Sequence, residues 1–451
     1  MAYYNPKSIH IKLFSHYNFN SFSLLLNIIT RIKVLVLNSH FLLLTCLVSC
    51  LSEPDDEFLR LKVEETSCTE VWLSVYGQSG SDINLQRDGN AVMEFTLNKP
   101  DTTVMDTGLT PGTTYRYQVS SGNETGNSVT AITLDTTSHD FTWQVYEFGG
   151  EAGYGSSSFS DVSIINESDI WVTGDISTAE GNFNAAHWDG IEWTLMKITV
   201  NFRDNLISPP LEGVFSFISS DIWFAGSLPI RFNDNNWIIY DVRTTVDPNL
   251  SLSKIWGRNS RDIFFVGRGG SIAYYHGQNW VKIESGTTEN IQDIWGADDT
   301  KTGKDFILCT ASQIGRQSDN LVLKINDDNT VSNFNWPYKD QLVYSAWFRN
   351  ERKIFLCGDG MVTLTGLKKW NSYDNLSNYF MFKVRGNDLN DVYTVGGYGY
   401  IAHFNGISWY ELPSTFNGNY VSVDVKDNMA VAVGYTNRTA RVMMLTRYVK
   451  S

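Results

Sequence analysis

Short apolar runs, most of them opened by an acidic residue and closed by glycine, recur along the chain from Asp169 onward. The plainest are Asp169-Ile170-Trp171-Val172-Thr173-Gly174, Asp221-Ile222-Trp223-Phe224-Ala225-Gly226, Asp262-Ile263-Phe264-Phe265-Val266-Gly267 and Asp391-Val392-Tyr393-Thr394-Val395-Gly396. Weaker copies start at Asp305, Lys353 and Met429. First residues of successive copies lie 38 to 52 positions apart. Runs this short, rich in Ile, Val, Phe and Trp, predict strands. Each copy is preceded by another strand-like run, as in Lys254-Ile255-Trp256-Gly257 or Asp293-Ile294-Trp295-Gly296. A third strand follows a variable loop (Ala186-His187-Trp188, Ile230-Arg231-Phe232, Ala273-Tyr274-Tyr275, Ala402-His403-Phe404). A tight turn then leads to a fourth strand carrying Trp: Asp189-Gly190 before Trp193, His276-Gly277 before Trp280, Asn405-Gly406 before Trp409. Asp-Gly and Asn-Gly supply the positive φ that two-residue hairpins require.

Four strands in every forty or so residues, repeated, predict a β-propeller with one blade per repeat. Seven copies predict seven blades over residues 141–451. The last copy ends in Arg441-Val442-Met443-Met444-Leu445, a third strand with no fourth behind it, whereas Phe141-Thr142-Trp143-Gln144-Val145-Tyr146 looks like a fourth strand standing ahead of the first blade. Pairing the two would close the ring and remove an open sheet edge. The repeats resemble those of bacterial secreted propellers that carry Asp-hydrophobic-Trp-hydrophobic-x-Gly and His-Trp-Asp-Gly-x-x-Trp motifs. That resemblance implies a fold and no particular activity.

Residues 54–137 hold no copy of the pattern and only one of the 14 Trp. Val71-Trp72-Leu73-Ser74-Val75 alternates as a half-buried strand, with Trp72, if inward, as the largest core group and Ser74 on its face. Leu109-Thr110-Pro111-Gly112-Thr113-Thr114-Tyr115-Arg116-Tyr117-Gln118-Val119 resembles the fibronectin type III domain. The resemblance implies an all-β sandwich ahead of the propeller, with Tyr115 bonding back across a corner and Leu109, Tyr117 and Val119 in the core. Such a module would act as a spacer.

Residues 1–50 read as a secretory leader: Lys7, Lys12, Arg31 and Lys33 without an acidic residue, then an apolar run ending in Leu47-Val48-Ser49-Cys50. The usual length of such a signal places its start near Arg31. The last four residues resemble the bacterial lipobox, which implies lipidation of Cys50, a membrane tie through that lipid, and a place at the outer membrane or cell surface. Ser52-Glu53-Pro54-Asp55-Asp56-Glu57 reads first as a solvated tether; the alternative is that it resembles the acidic export signal of surface lipoproteins in the Bacteroidetes group. Taking the leader's four basic residues from the chain's 35 leaves 31 against 49 acidic, a net charge of about −18. That balance argues against a nucleic-acid partner. Cys309 and Cys357 share a repeat column with Thr173, Ala225, Val266, Val395 and Val433, which predicts buried packing.

No catalytic set stands out in the sequence. Gly267-Arg268-Gly269-Gly270 and Gly396-Gly397-Tyr398-Gly399 open no helix, so neither is a phosphate loop. Asn326-Asp327-Asp328-Asn329 lacks the Gly and distal Glu of a calcium loop, and no Cys/His spacing suits a metal. Trp188-Asp189-Gly190-Ile191-Glu192-Trp193 does not fit the sialidase Asp-box. The reading is therefore a non-enzymatic binding or scaffold protein of the cell envelope, without cofactor or metal, whose partner is a protein or a glycan. An extracellular polysaccharide hydrolase or lyase is the alternative. Loops vary most between strands two and three and between blades (residues 175–184, 200–213, 243–252 and 312–320), which in a propeller share the face around the channel mouth. Arg203, Arg268, Tyr338, Tyr398 and Tyr400 lie in or beside such loops, and Arg and Tyr are frequent binding anchors. They are the expected ligand contacts.

Overall fold

Two glycine features of the repeat explain its local geometry. The glycine closing six of the seven runs sits where the backbone leading into the preceding strand crosses closely: a Cβ on Gly174 would stand 2.1 Å from the Ser158 carbonyl, on Gly226 1.9 Å from that of Pro210, and on Gly434 1.8 Å from that of Asn419. Only glycine admits that approach. In the tight turns, Gly190, Gly277 and Gly406 adopt φ of 95°, 92° and 98°. The residue before two of them braces the loop: Asp189 accepts from the Ile191 and Glu192 amides, and Asn405 from those of Ile407 and Ser408.

The computed structural model describes residues 59–299, 304–314, 319–366, 369–373 and 376–448. They lie within one unit, Leu59–Ser451; the leader and Cys50 fall outside the described residues. From Phe141 to Arg447 the strands form seven four-stranded antiparallel sheets in sequence. Their first strands are Ser158–Asn166, Gly213–Ile218, Leu252–Asn259, Ile291–Asp299, Val343–Asn350, Met381–Asp388 and Asn419–Lys426. Each contacts the first strand of the next sheet, and the seventh contacts the first, so the sheets stand in a ring. The outermost strand of the seventh sheet is Phe141–Gly149, paired along its length with Thr439–Arg447. The ring is thus tied by the strand that precedes it in sequence.

The second strands read as unbroken apolar runs because both faces are covered. In Asp169–Thr178, Ile170 and Val172 pack with Val431 and Val442 of the seventh sheet, whereas Trp171 packs with Ile222 and Phe224 of the second. Cys309 and Cys357 are buried in the same manner, and burial pushes the Cys357 thiol up to about 12. The acidic residue opening the run reaches diagonally to the third strand: Asp169 to His187 at 2.9 Å, Asp221 to Arg231 at 2.8 Å and Asp391 to His403 at 3.0 Å.

The first seven strands form a separate pair of sheets, one ordering Arg60–Thr66, Glu70–Tyr76 and Asp101–Thr107, the other Asn90–Thr96, Asp82–Arg87, Thr114–Ser121 and Glu124–Ile132. Leu109, Tyr117 and Val119 lie in the core between them, and the Thr110 amide donates to the Tyr115 hydroxyl at 2.9 Å. Trp72 departs from its expected place. Val71, Leu73 and Val75 face this core, so strand alternation turns Trp72 outward. It is nevertheless only 1% exposed, because it packs with Trp347, Phe355 and Met381 of the ring. Ion pairs frame that contact: Arg352 with Glu64 at 3.4 Å, Lys353 with Glu70 at 3.0 Å. The small sandwich is docked on the fifth and sixth sheets.

Candidate functional site

Aligning the seven first strands places Asp161, Gly213, Lys254, Asp293, Ser345, Lys383 and Ser422 in one column, with Arg385 and Asp424 two residues further along their strands. Several of these side chains meet around the ring axis. Asp293 takes Lys383 Nζ at 2.7 Å, both terminal nitrogens of Arg385 at 2.8 and 2.9 Å, and the Ser345 hydroxyl at 2.5 Å. Asp161 pairs with Lys254 at 3.3 Å and accepts from Ser422 at 2.6 Å. Burial would raise the Asp293 carboxyl, but Arg385 and Lys383 outweigh it and hold it far below the usual carboxylate range. Asp161 is lowered in the same way, by Lys254 and Lys383 against burial. Lys383 is itself lowered, by burial and by Arg385. Asp424, which accepts from the Ile164 and Val425 amides, is raised by burial. Charged groups this deep persist only when paired and hydrogen-bonded.

A cavity of about 640 Å3 lies at the ends where the first strands begin, with Lys254 and Lys383 of this network in its lining. Ser158, Ser160, Ser253 and Gln292 line it as well. Tyr344 and Tyr435 stand at the rim, Tyr344 wedged against Phe380 and Phe382 at ring distances of 5.3 and 5.6 Å. Glu212, Gln313 and Ile314 come from two of the variable loops. Hydroxyl, amide and ammonium groups thus converge on one mouth, with aromatic walls beside them.

Of the five expected ligand contacts, only Arg268 lines this cavity. Its side chain is 65% exposed and bonds Glu212 at 3.2 Å. Arg203 sits on a separate hairpin (Val200–Phe202 with Asn205–Ile207) and is held by Asp241 at 2.7 Å and by Thr244. Tyr338 packs beside Trp336 in the core of the fourth and fifth sheets. Tyr400 is 2% exposed and fills the core under Trp409 and Phe404. Tyr398, 67% exposed at φ 55°, lies against Tyr379. The cavity also brings in Lys254, Lys383 and Tyr344, which were not among the expected contacts. For the two lysines the repeat holds a signal: charged residues stand in a column that an ordinary core would fill with apolar ones. Among the described residues no group of three or more His, Cys, Asp or Glu is arranged to hold a metal ion.

No family model and no curated protein matches the chain. Solved structures do. YCF48 bound to a D1 peptide is similar with a TM-score of 0.51 at 13% identity, over 70% of this chain and 100% of its own. Virginiamycin B lyase from Staphylococcus aureus is similar with a TM-score of 0.50 at 12% identity, over 68% of this chain and 100% of its own. At such identities the likeness concerns architecture alone, and the architecture is that of a β-propeller.

Proposed function

We propose that the chain is a lipid-anchored scaffold protein of a bacterial cell envelope, a seven-bladed propeller braced by a fibronectin type III-like sandwich, which holds a protein partner at the ring mouth. The mouth cavity carries this reading: many hydrogen-bonding groups from several sheets converge there, beside the paired charge network. A preorganised polar recess with Tyr and Arg at its rim suits peptide recognition. The D1 peptide held by YCF48 is a precedent for such a partner on a propeller. The sandwich reading is supported by its three-plus-four strand division and by the Tyr115 corner bond. Anchoring through Cys50 and a position on the outer membrane or cell surface rest on the lipobox resemblance.

A photocrosslinker at Ile314, which is 52% exposed at the mouth, tests the reading in intact envelopes. A discrete adduct should form and weaken or disappear with Arg268→Ala and Tyr344→Phe combined, the second keeping the packed ring, at unchanged melting temperature. An adduct indifferent to those changes would remove the mouth as the binding site.

A further inference from the structure

We propose a second binding site, for an acidic oligosaccharide, in the cleft between the sandwich and the fourth and fifth sheets. The cleft encloses about 660 Å3, within the roughly 300–1,000 Å3 typical of small-ligand sites. Its walls are aromatic. Phe306 and Phe334 lie 5.8 Å apart at 73°, and Phe334 and Trp370 6.4 Å apart at 71°, so the rings make a corner and not a closed stack. Phe334 and Trp370 are only half-buried, which leaves aromatic surface for the C–H face of a sugar ring. Trp72 forms the sandwich side of the cleft. Its indole N–H is buried without a hydrogen-bond partner and packs against Gly366, where a Cβ would stand 2.1 Å from Nε1.

Sugar hydroxyls need amides and hydroxyls beside the aromatic faces, and Asn333, Asn335 and Ser332 supply them from an exposed edge. The charge of the rim selects the kind of sugar. Lys324 stands 5.0 Å over the Phe306 ring, and Lys99, 65% exposed on the opposite rim, has Asp101 at 3.9 Å; Glu351 is the one carboxylate in the lining itself. Arg352 is engaged by Glu64. A cationic rim in a chain of net charge −14 fits a ring-shaped ligand that bears a carboxylate, a uronate unit. A peptide strand finds less here, since the neighbouring sheet edge, Val331–Asn333, is three residues long.

Titration of the mature chain with trigalacturonate, followed calorimetrically, tests the site, with maltotriose and triglutamate as the other arms. Saturable binding of trigalacturonate is expected. Affinity should fall by about tenfold or more in Trp370→Ala, as for a central aromatic anchor. It should fall as well in Asn335→Asp, an exposed position where the added charge repels the ligand without disturbing the fold. Arg268→Ala at the ring mouth should leave it unchanged, which separates this site from the mouth. Absence of saturable binding would overturn the proposal. So would equal affinity for maltotriose or for triglutamate, or affinity unmoved by Asn335→Asp.

Discussion

Asp293 and Arg385 join the fourth and sixth sheets through two hydrogen bonds of 2.8 and 2.9 Å, and the fifth sheet between them contributes Ser345 and the Ala346 carbonyl to the same cluster. The pair works with Lys383 as a staple across the axis. Because the folded carboxyl is held far below its unfolded value, its contribution to stability is complete above about pH 4 and is lost as pH falls further. Asp161 adds a loss of the same sign. Asp424 and Glu65, raised by burial, act oppositely and soften the slope above that range. Asp293→Asn takes from two buried cations their hydrogen-bonded counter-charge, leaving only the more distant Asp161 and Asp424, and should cost about 3–5 kcal/mol. Urea denaturation from neutral pH down to pH 3 should show that loss at neutrality and a flattened acid limb.

Trp72 and Gly366 test the docking of the sandwich. A Cβ at Gly366 would lie 2.1 Å from Trp72 Nε1, so Gly366→Val must displace the indole. Overpacking of this kind costs about 1–3 kcal/mol. Loosened docking should also expose the segment at residues 133–140 to protease. Wild-type melting together with wild-type proteolysis would show that the indole does not hold the two parts together.

Much of the ring was legible because its pattern has a local cause. Both faces of each second strand are covered by neighbouring sheets, so the apolar run is unbroken, and the backbone crossing behind it demands glycine. The closing role of Phe141–Gly149 was legible from its likeness to the Trp-bearing fourth strands, and it pairs where that likeness places it. Trp72 was not legible. Alternation tells which residues share a face and cannot tell whether that face meets the sandwich core or another domain. The surroundings of the loop candidates were hidden by the same limit. Tyr398 and Tyr400 are two residues apart, yet one is exposed and the other closes a core. The axial charges were open to view as a column, but their pairing joins sheets that are not neighbours, a relation that exists only once the ring is formed.

His139, between the sandwich and the ring, makes stability pH-dependent in a second window. Its Nδ1 lies 2.9 Å from Nδ1 of His403, whose Nε2 is 3.0 Å from Asp391. With His403 donating to Asp391, His139 must donate from Nδ1, which leaves its Nε2 buried and without a partner. Burial and the neighbouring His403 push the His139 imidazole down to about 4, while Asp140 opposes them. His403 is lowered too, by burial and Arg447 against Asp391. Between pH 6.5 and about 4 the unfolded chain takes up a proton at His139 that the folded chain refuses, so stability declines over that interval as pH falls. His139→Gln retains a donor to His403 and should reduce the decline. Melting curves across the interval, with the imidazole followed by NMR, decide the matter.

The closing strand carries the last prediction. Thr439–Arg447 pairs with Phe141–Gly149 through nine residue pairs, and Tyr146 and Phe148 pack into the seam between the seventh and first sheets. Along a strand, adjacent amides point to opposite sides, so one of Gln144 and Val145 donates to Thr439–Arg447. Replacing both with proline removes that bond whichever it is and strains the pairing around it, at about 3 kcal/mol or more. Both positions are exposed, so little core packing is lost. The effect should reach the whole ring and not merely its seam, because each sheet is held on both sides by neighbours. A single melting transition shifted downward is therefore expected. A transition at the wild-type temperature would mean that the ring holds without its closing strand.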